Sequence, residues 1–104
     1  DTFLLNVPNA LDETLYRGQL YANHGGCGFF VPCVTHAEDI TSIVRRVPLP
    51  LNVMCMPELA DFSTLSTLGV KRISMGNFIY AATQARLKDL LCQVQANYSF
   101  SGVF

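Results

Sequence analysis

The sequence predicts an α/β fold in which parallel strands alternate with helices packed outside the sheet. The central observation is residues 49–54, a short and almost wholly apolar run of the kind that forms a strand covered on both faces. Two similar runs, residues 28–31 and 70–75, lie on either side of it along the chain. A helical pattern follows each run, and strands that alternate with helices favour a parallel sheet.

The first helix is predicted to begin just after Asn9, a residue that suits the N-cap position. Acidic residues at positions 12 and 13 favour the same start, because the positive end of the helix dipole lies there. Glycines at 25 and 26 allow a left-handed C-terminal cap. The predicted buried face repeats at helical spacing and holds Leu11, Leu15, Gly18 and Ala22.

Two shorter helices are predicted between the strands. Thr35 and Glu38 have the spacing of a capping box, so we expect Thr35 to cap the second helix, which Pro48 stops. Asp61 or Ser63 is expected to cap the third helix, which ends at a glycine. The buried stripe predicted for the second helix holds Ile40, Ile43, Val44 and Val47.

The longest helix is predicted over residues 78–96. The tail after it, residues 98–104, is aromatic and uncharged, and we expect it to be docked on the rest of the protein. The predicted apolar face of the helix holds Ile79, Ala82, Leu87, Leu90, Leu91 and Val94.

Composition limits the function classes. The 104 residues make one domain at most, with 50% hydrophobic and only 14% charged residues, a balance that is rich in core material for a small monomer. The net charge is -1 and no basic stripe exists, which argues against nucleic-acid binding. No apolar run is long enough to span a bilayer and no signal-peptide layout opens the chain, so we expect a cytoplasmic protein that does not enter a membrane.

Four cysteines, at positions 27, 33, 55 and 92, are scattered through apolar segments, and we expect reduced thiols rather than a disulfide framework. Zinc could be bound by two pairs of residues, His24 with Cys27 and Cys33 with His36, because both pairs have suitable spacing. The predicted strand between the two pairs, however, would hold them apart. Cys33 or Cys55 could serve as a nucleophile, with His36 as the only candidate base. We therefore expect no metal site in this chain and no catalytic residue.

Three segments in order carry a family resemblance: YANHGGCGFFVP at 21–32, PLPLNVM at 48–54 and LGVKRISMG at 68–76. They resemble the C-terminal part of the isocitrate lyase and phosphoenolpyruvate mutase superfamily, in particular its shorter, phosphonomutase-like members. That resemblance implies a (β/α)₈ barrel, and the strands here do recur about every twenty residues, the unit length of such a barrel. A complete barrel needs roughly 250 residues. Residues 1–104 are therefore interpreted as a partial barrel, its last three βα units, with parallel strands and outer helices.

The resemblance also implies chemistry. Family members use Mg²⁺ to hold an α-oxo-acid or its enolate while a C–C or P–C bond is made or broken, and their last helix often crosses to a neighbouring subunit. Asp1 would be the final residue of the family's NARTD motif, which places the magnesium carboxylates and the catalytic loop outside this chain. We therefore expect part of a lyase or mutase that is inactive alone and binds no Mg²⁺ by itself.

Several positions depart from the family pattern. Pro32 stands where the mutase has a catalytic His and methylisocitrate lyase a Glu, and Met54 stands near a substrate-binding Asn of the lyases. Within the shorter subfamily, Cys27 replaces an Asp, Cys33 a Gly and Glu58 a Gly. These departures leave the particular reaction open.

The candidate substrate-binding residues lie where active sites of such barrels lie, at or near the C-terminal ends of the strands. They are Asn52, Ser74, Gly76 and Asn77. Asn52 and Ser74 would either face a substrate carboxylate or bind neighbouring backbone, and Gly76 and Asn77 would present free helix amides to an anion, as many helix starts do.

The partners expected from this interpretation are a small oxo-acid or carboxylate substrate, and either further copies of the chain or the missing N-terminal part of the barrel. Two alternatives remain open at this stage. One is a non-catalytic structural or interaction fragment that associates with a barrel half or with itself. The other is a thiol- or zinc-dependent binding module.

Overall fold

The computed structural model describes residues 1–104 and confirms the predicted α/β class. The chain divides into two compact units, Asp1–Ser74 and Met75–Phe104. The elements of the first unit are α1 (Ala10–Asn23), β1 (Phe29–Val31), α2 (Ala37–Arg46), β2 (Leu51–Met54), α3 (Phe62–Leu68) and β3 (Arg72–Ser74). The second unit contains α4 (Phe78–Asn97).

The three strands form one parallel sheet in the order β1-β2-β3. The apolar run at 49–54 therefore supplies the central strand, as predicted. In the register, Phe30 lies opposite Asn52, which lies opposite Arg72. The sheet is open, so β1 and β3 each have one edge without a partner strand.

The two faces of the sheet differ in what covers them. Successive side chains of a strand point to opposite faces, so alternate residues of the three strands share a face. Side chains on one face pack against side chains of α1, α2 and α3 and form the core with them. The core consists of Leu15, Phe29, Val31, Val34, Ile40, Ile43, Val47, Leu51, Val53 and Leu65. On the other face Phe30 is 48% exposed and Arg72 is exposed. The three helices thus cover one face and leave the other open.

Gly18 lets α1 approach the sheet closely. A Cβ at this position would lie 2.5 Å from Cγ2 of Val47 and 3.0 Å from Cε1 of Phe29. On the same helix, the buried hydroxyl groups of Thr14 and Thr2 are hydrogen-bonded, which ties the N-terminal segment to α1. The predicted buried face of the first helix is therefore confirmed at its centre.

Helix caps follow the sequence prediction in one case and depart from it in two. Oδ1 of Asp61 accepts from the backbone N–H of Thr64 at 2.8 Å, which confirms the cap of α3. Asn9 occupies the N-cap position of α1, but its φ of 56° is left-handed, and its side chain makes no capping bond. The capping box at Thr35 is wrong, because α2 begins one residue later and His36 occupies the N-cap position.

The second unit consists of α4 and the residues around it. The bounds of α4 agree with the prediction to within one residue, but none of its side chains is buried. The prediction of a docked tail is wrong for this chain, because Tyr98 and Phe104 are almost completely exposed. None of the four helices combines the length and apolar content that a membrane span requires.

Candidate functional site

Asn52 lies at the middle of the open face, in the central strand, and is 9% exposed. With its amide nitrogen turned toward the neighbouring carbonyls, Nδ2 donates to the oxygen of Val53 at 3.2 Å and to that of Arg72 at 3.1 Å. The polar side chain is thus satisfied by backbone, the second of the two roles considered for it. The amide oxygen is the acceptor that remains for another group.

Ser74 is the last residue of β3 and lies on the same face as Asn52, one pleat nearer the C-terminal ends of the strands. Its hydroxyl donates to the carbonyl oxygen of Val53 at 3.2 Å. Asn52 and Ser74 therefore converge on one carbonyl group. Two of the four predicted site residues are brought together by the pairing of β2 with β3.

Gly76 and Asn77 belong to the second unit, where they lead into α4. Gly76 has a φ of 56°, a left-handed conformation that glycine adopts without strain. Asn77 occupies the N-cap position, and its side chain makes no capping hydrogen bond. Their predicted role in binding an anion remains a prediction.

A cavity of about 470 Å³ lies beside the open face of the sheet and extends to the N-terminal ends of the strands, because residues that precede β1, β2 and β3 line it. Asn52 and Ser74 line it, together with Cys27, Lys71 and Arg72, and no acidic side chain does. Sequence reasoning missed the two cations. The signal was present, because Arg72 and Ser74 are the polar members of an alternating strand whose apolar member faces the core.

The acidic residues Asp1, Glu58 and Asp61 do not line this cavity and have other surroundings. Asp1 lines a separate cavity of about 200 Å³ beside β1, together with Arg17. Arg17 donates from Nε to Oε1 of Glu13 at 2.7 Å, and this hydrogen-bonded ion pair raises the pKa of the guanidinium. The carboxylate of Asp61 is engaged in capping α3, and Glu58 is exposed.

The residues considered for a zinc site or for thiol chemistry do not form a metal-binding group. No three His, Cys, Asp or Glu side chains lie together in a way that could hold a metal ion. Nδ1 of His24 donates to the carbonyl of Leu20 at 2.8 Å, at the end of α1. All four cysteines are free, and Cys33 has a left-handed φ of 66° just after β1.

Comparison with known proteins gives consistent matches. The family model for phosphoenolpyruvate phosphomutase matches residues 1–95. Two uncharacterized proteins of Mycobacterium tuberculosis, one from each of two strains, are 32% identical over 82 residues, which cover 79% of this chain and 31% of theirs.

Two crystal structures from Burkholderia cenocepacia are similar in fold. A protein described as a phosphonomutase superposes with a TM-score of 0.81 at 34% identity, covering 89% of this chain and 39% of its own. A protein described as a lyase/mutase gives a TM-score of 0.82 at 27% identity, covering 95% of this chain and 36% of its own. The chain thus spans about a third of the length of the curated relatives and somewhat more of the solved structures.

Proposed function

The chain belongs to the phosphoenolpyruvate phosphomutase family, and we propose that it forms the last three βα units of a (β/α)₈ barrel in a magnesium-dependent lyase or mutase. The family match and the two similar crystal structures confirm the superfamily resemblance carried by the three sequence motifs. The reaction proposed for the complete barrel is cleavage or formation of a C–C or P–C bond in a substrate that yields an α-oxo-acid.

The observation that carries the proposal is the difference between the two sheet faces. In a (β/α)₈ barrel the helices lie outside, and the substrate binds within the ring of strands at their C-terminal ends. Here the helices of the first unit pack on one face, and the polar side chains of Asn52 and Ser74 lie on the other. The open face therefore has the polarity expected for the inner wall of a barrel.

We assign the chain a binding role within that wall. The amide oxygen of Asn52 accepts a hydrogen bond from a substrate hydroxyl group, and Ser74 helps to hold the amide in place through the shared carbonyl of Val53. These contacts orient the substrate without forming or breaking a bond. The chain itself supplies no acid, base or nucleophile to the reaction.

The magnesium expected for the family does not fit the residues of this chain. Mg²⁺ prefers oxygen ligands and is usually bound through one or two carboxylates. The cavity on the open face is lined by Lys71 and Arg72 and by no carboxylate, so it would repel the ion. We propose that the remaining strands of the barrel supply the metal ligands, and that the chain alone is inactive.

The test is an activity assay of the chain alone and together with the N-terminal part of the barrel, supplied as a longer chain or a co-expressed fragment. The assay measures pyruvate or glyoxylate released from a panel of 2-substituted malates and citrates in the presence of magnesium. We expect release only when both parts are present. Asn52→Ala should lower it, whereas Asn97→Ala, at the end of α4, should not. Turnover by the 104-residue chain alone, abolished by Asn52→Ala, would show that the active site lies in this chain and would contradict the proposal.

A non-catalytic interaction fragment is the second candidate, and the free edges of β1 and β3 favour it. Unpaired strand edges invite pairing with other chains. Both candidates predict that the isolated chain associates with itself at micromolar concentration in a sedimentation experiment. A well-behaved monomer with a sharp unfolding transition would contradict both. The two candidates are distinguished by the activity assay of the two parts together, because only the first predicts turnover.

A further inference from the structure

We propose that the free edge of β3 binds an extended strand whose acidic side chain pairs with Arg72 and Lys71 at the N-terminal end of the sheet. The source of that strand, the remaining part of the barrel, rests on the proposed function. Its acidic character rests on the charges at this edge.

Two cavities meet at the free edge of β3. One is the cavity of about 470 Å³ beside the open face, and the other has a volume of about 350 Å³ and lies beside α3. Lys71 and Arg72 line both cavities, so they lie at the strand that separates them. An edge strand of this kind offers unpaired backbone groups to another extended segment.

Neither cation at this edge has a carboxylate partner in the chain. The only salt bridge joins Arg17 to Glu13, and no acidic side chain lines either cavity. Arg72 is exposed on the open face, in the same row as Asn52. A barrel that closes over this face encloses Arg72 among interior side chains, and an arginine is almost never enclosed without a pairing charge. The closing part must therefore bring a carboxylate to this row.

The position of the cations along the strand favours a structural role. Lys71 precedes β3 and Arg72 is its first residue, so both lie at the N-terminal end of the sheet. The substrate of a barrel enzyme binds at the opposite end, and residues at the N-terminal end serve stability. An ion pair between two parts of the protein fits this place, whereas a substrate group does not.

The two sides of β3 specify the pattern of the incoming strand. Apolar residues form most of the lining of the cavity beside α3, namely Phe62, Leu65, Val70 and Ile73. Successive side chains of a strand point to opposite faces. The incoming strand should therefore carry an apolar residue directed toward α3, and next to it the acidic residue directed toward Arg72.

A second copy of this chain does not supply such a strand. Pairing of two β3 edges would bring Lys71 and Arg72 of both copies together, and like charges repel. The other free edge, β1, consists of Phe29–Val31 and contains no acidic residue. The chain spans about a third of the length of its curated relatives, so the rest of the barrel is the larger source of strands.

The test measures the association of the chain with the co-expressed N-terminal part of the barrel by sedimentation of the purified mixture. Arg72→Gln should weaken the association about thirtyfold or more, because it leaves an enclosed carboxylate without a partner. Lys71→Gln should weaken it only about threefold, because Lys71 is exposed at the end of the strand. Arg45→Gln removes the same charge from the last turn of α2, away from both cavities, and should leave the association unchanged.

Two further substitutions of Arg72 separate charge pairing from packing. Arg72→Lys keeps the charge and should recover most of the affinity that the glutamine variant loses. Arg72→Leu suits the branched apolar interior of a barrel, yet it should weaken the association at least as much as glutamine does, because the facing carboxylate still has no partner. Since Arg72 is exposed in the chain alone, circular dichroism of the isolated variants should be unchanged. Lys71→Glu tests the same charge just outside the strand and should weaken the association more than Lys71→Gln.

Three outcomes would overturn the proposal. They are an Arg72→Leu variant that associates as tightly as the unsubstituted chain, an equal loss for Arg45→Gln and Arg72→Gln, and self-association of the chain that Arg72→Gln abolishes. The last outcome would make a second copy the partner. Association that does not depend on Arg72 would leave the proposed function intact, whereas no association of the unsubstituted chain with the N-terminal part would contradict both.

Discussion

The two units of the chain both contain helices with apolar residues, but they use these residues differently. In Asp1–Ser74, side chains such as Ile43 and Val53 are completely buried. In Met75–Phe104, Leu87 and Leu91 are 50% and 62% exposed, and α4 has no buried residue. A helix buries its apolar residues only where another element covers them. The first unit has such an element in its sheet, and an apolar pattern alone does not reveal whether one exists.

The largest expected effect comes from shortening one apolar side chain in each unit. Ile43→Ala should lower the free energy of unfolding by about 2–5 kcal/mol, because it leaves a cavity in a closely packed core. Leu91→Ala should change it by less than about 0.5 kcal/mol, because that side chain is mostly exposed and both residues favour a helix. Denaturant unfolding measures both, and equal losses would contradict the distinction between the units.

A glycine in each unit sharpens the comparison. Gly18→Ala should cost about 1–3 kcal/mol of stability, because the new methyl group would overlap the side chain of Val47 in the core. In the second unit, the closest atom to a Cβ at Gly102 is Oε1 of Gln93, at the end of a flexible side chain. Gly102→Ala should therefore be nearly neutral. A cost for Gly102→Ala as large as that for Gly18→Ala in thermal unfolding would be inconsistent with this difference.

Each unit also has a residue other than glycine or asparagine in the left-handed region, Cys33 with a φ of 66° and Tyr98 with a φ of 48°. Cys33→Gly should stabilise the first unit by about 1 kcal/mol, because glycine adopts this conformation without a steric penalty. Tyr98→Gly should raise the helix content of the second unit, because a left-handed glycine suits the end of a helix. Cys33→Ala is the control, since alanine keeps the Cβ. Equal stabilisation by alanine and glycine would exclude backbone strain as the cause.

The smallest effect concerns pH and is confined to the first unit. The backbone N–H of Thr64 donates to Asp61 and lowers the pKa of its carboxyl group. This contribution to stability is present above the unfolded pKa of about 3.9 and is lost as the pH falls through the lower pKa of the folded state. Asp61→Asn keeps a capping acceptor without a charge. As the pH is lowered below about 4, the midpoint temperature of thermal unfolding should therefore fall less for this variant than for the unsubstituted protein. Parallel profiles of the two proteins from pH 6 to pH 2 would contradict the prediction.

Caps show where local sequence is a sufficient guide. Asp61 is one of the two cap candidates that the sequence offers before an apolar helical pattern, and it caps α3 through a bond three residues along the chain. Thr35 had an equally good pattern, but α2 begins one residue later than that pattern required. Packing of Ile40 and Ile43 into the core constrains the helix more strongly than one capping bond, which is worth about 1 kcal/mol.

The order and type of the elements, the central place of the 49–54 strand and the family follow from the sequence alone. These features depend on periodicity, turn residues and motifs within short segments, where neighbouring residues decide the outcome. The surroundings of the candidate site required the tertiary structure. The register of three strands, separated along the chain by helices, decides that Arg72 shares a row with Asn52 and that Ser74 reaches the carbonyl of Val53. The exposure of α4 likewise depends on what packs against it, because a helix has the same periodicity whether or not its apolar side is covered.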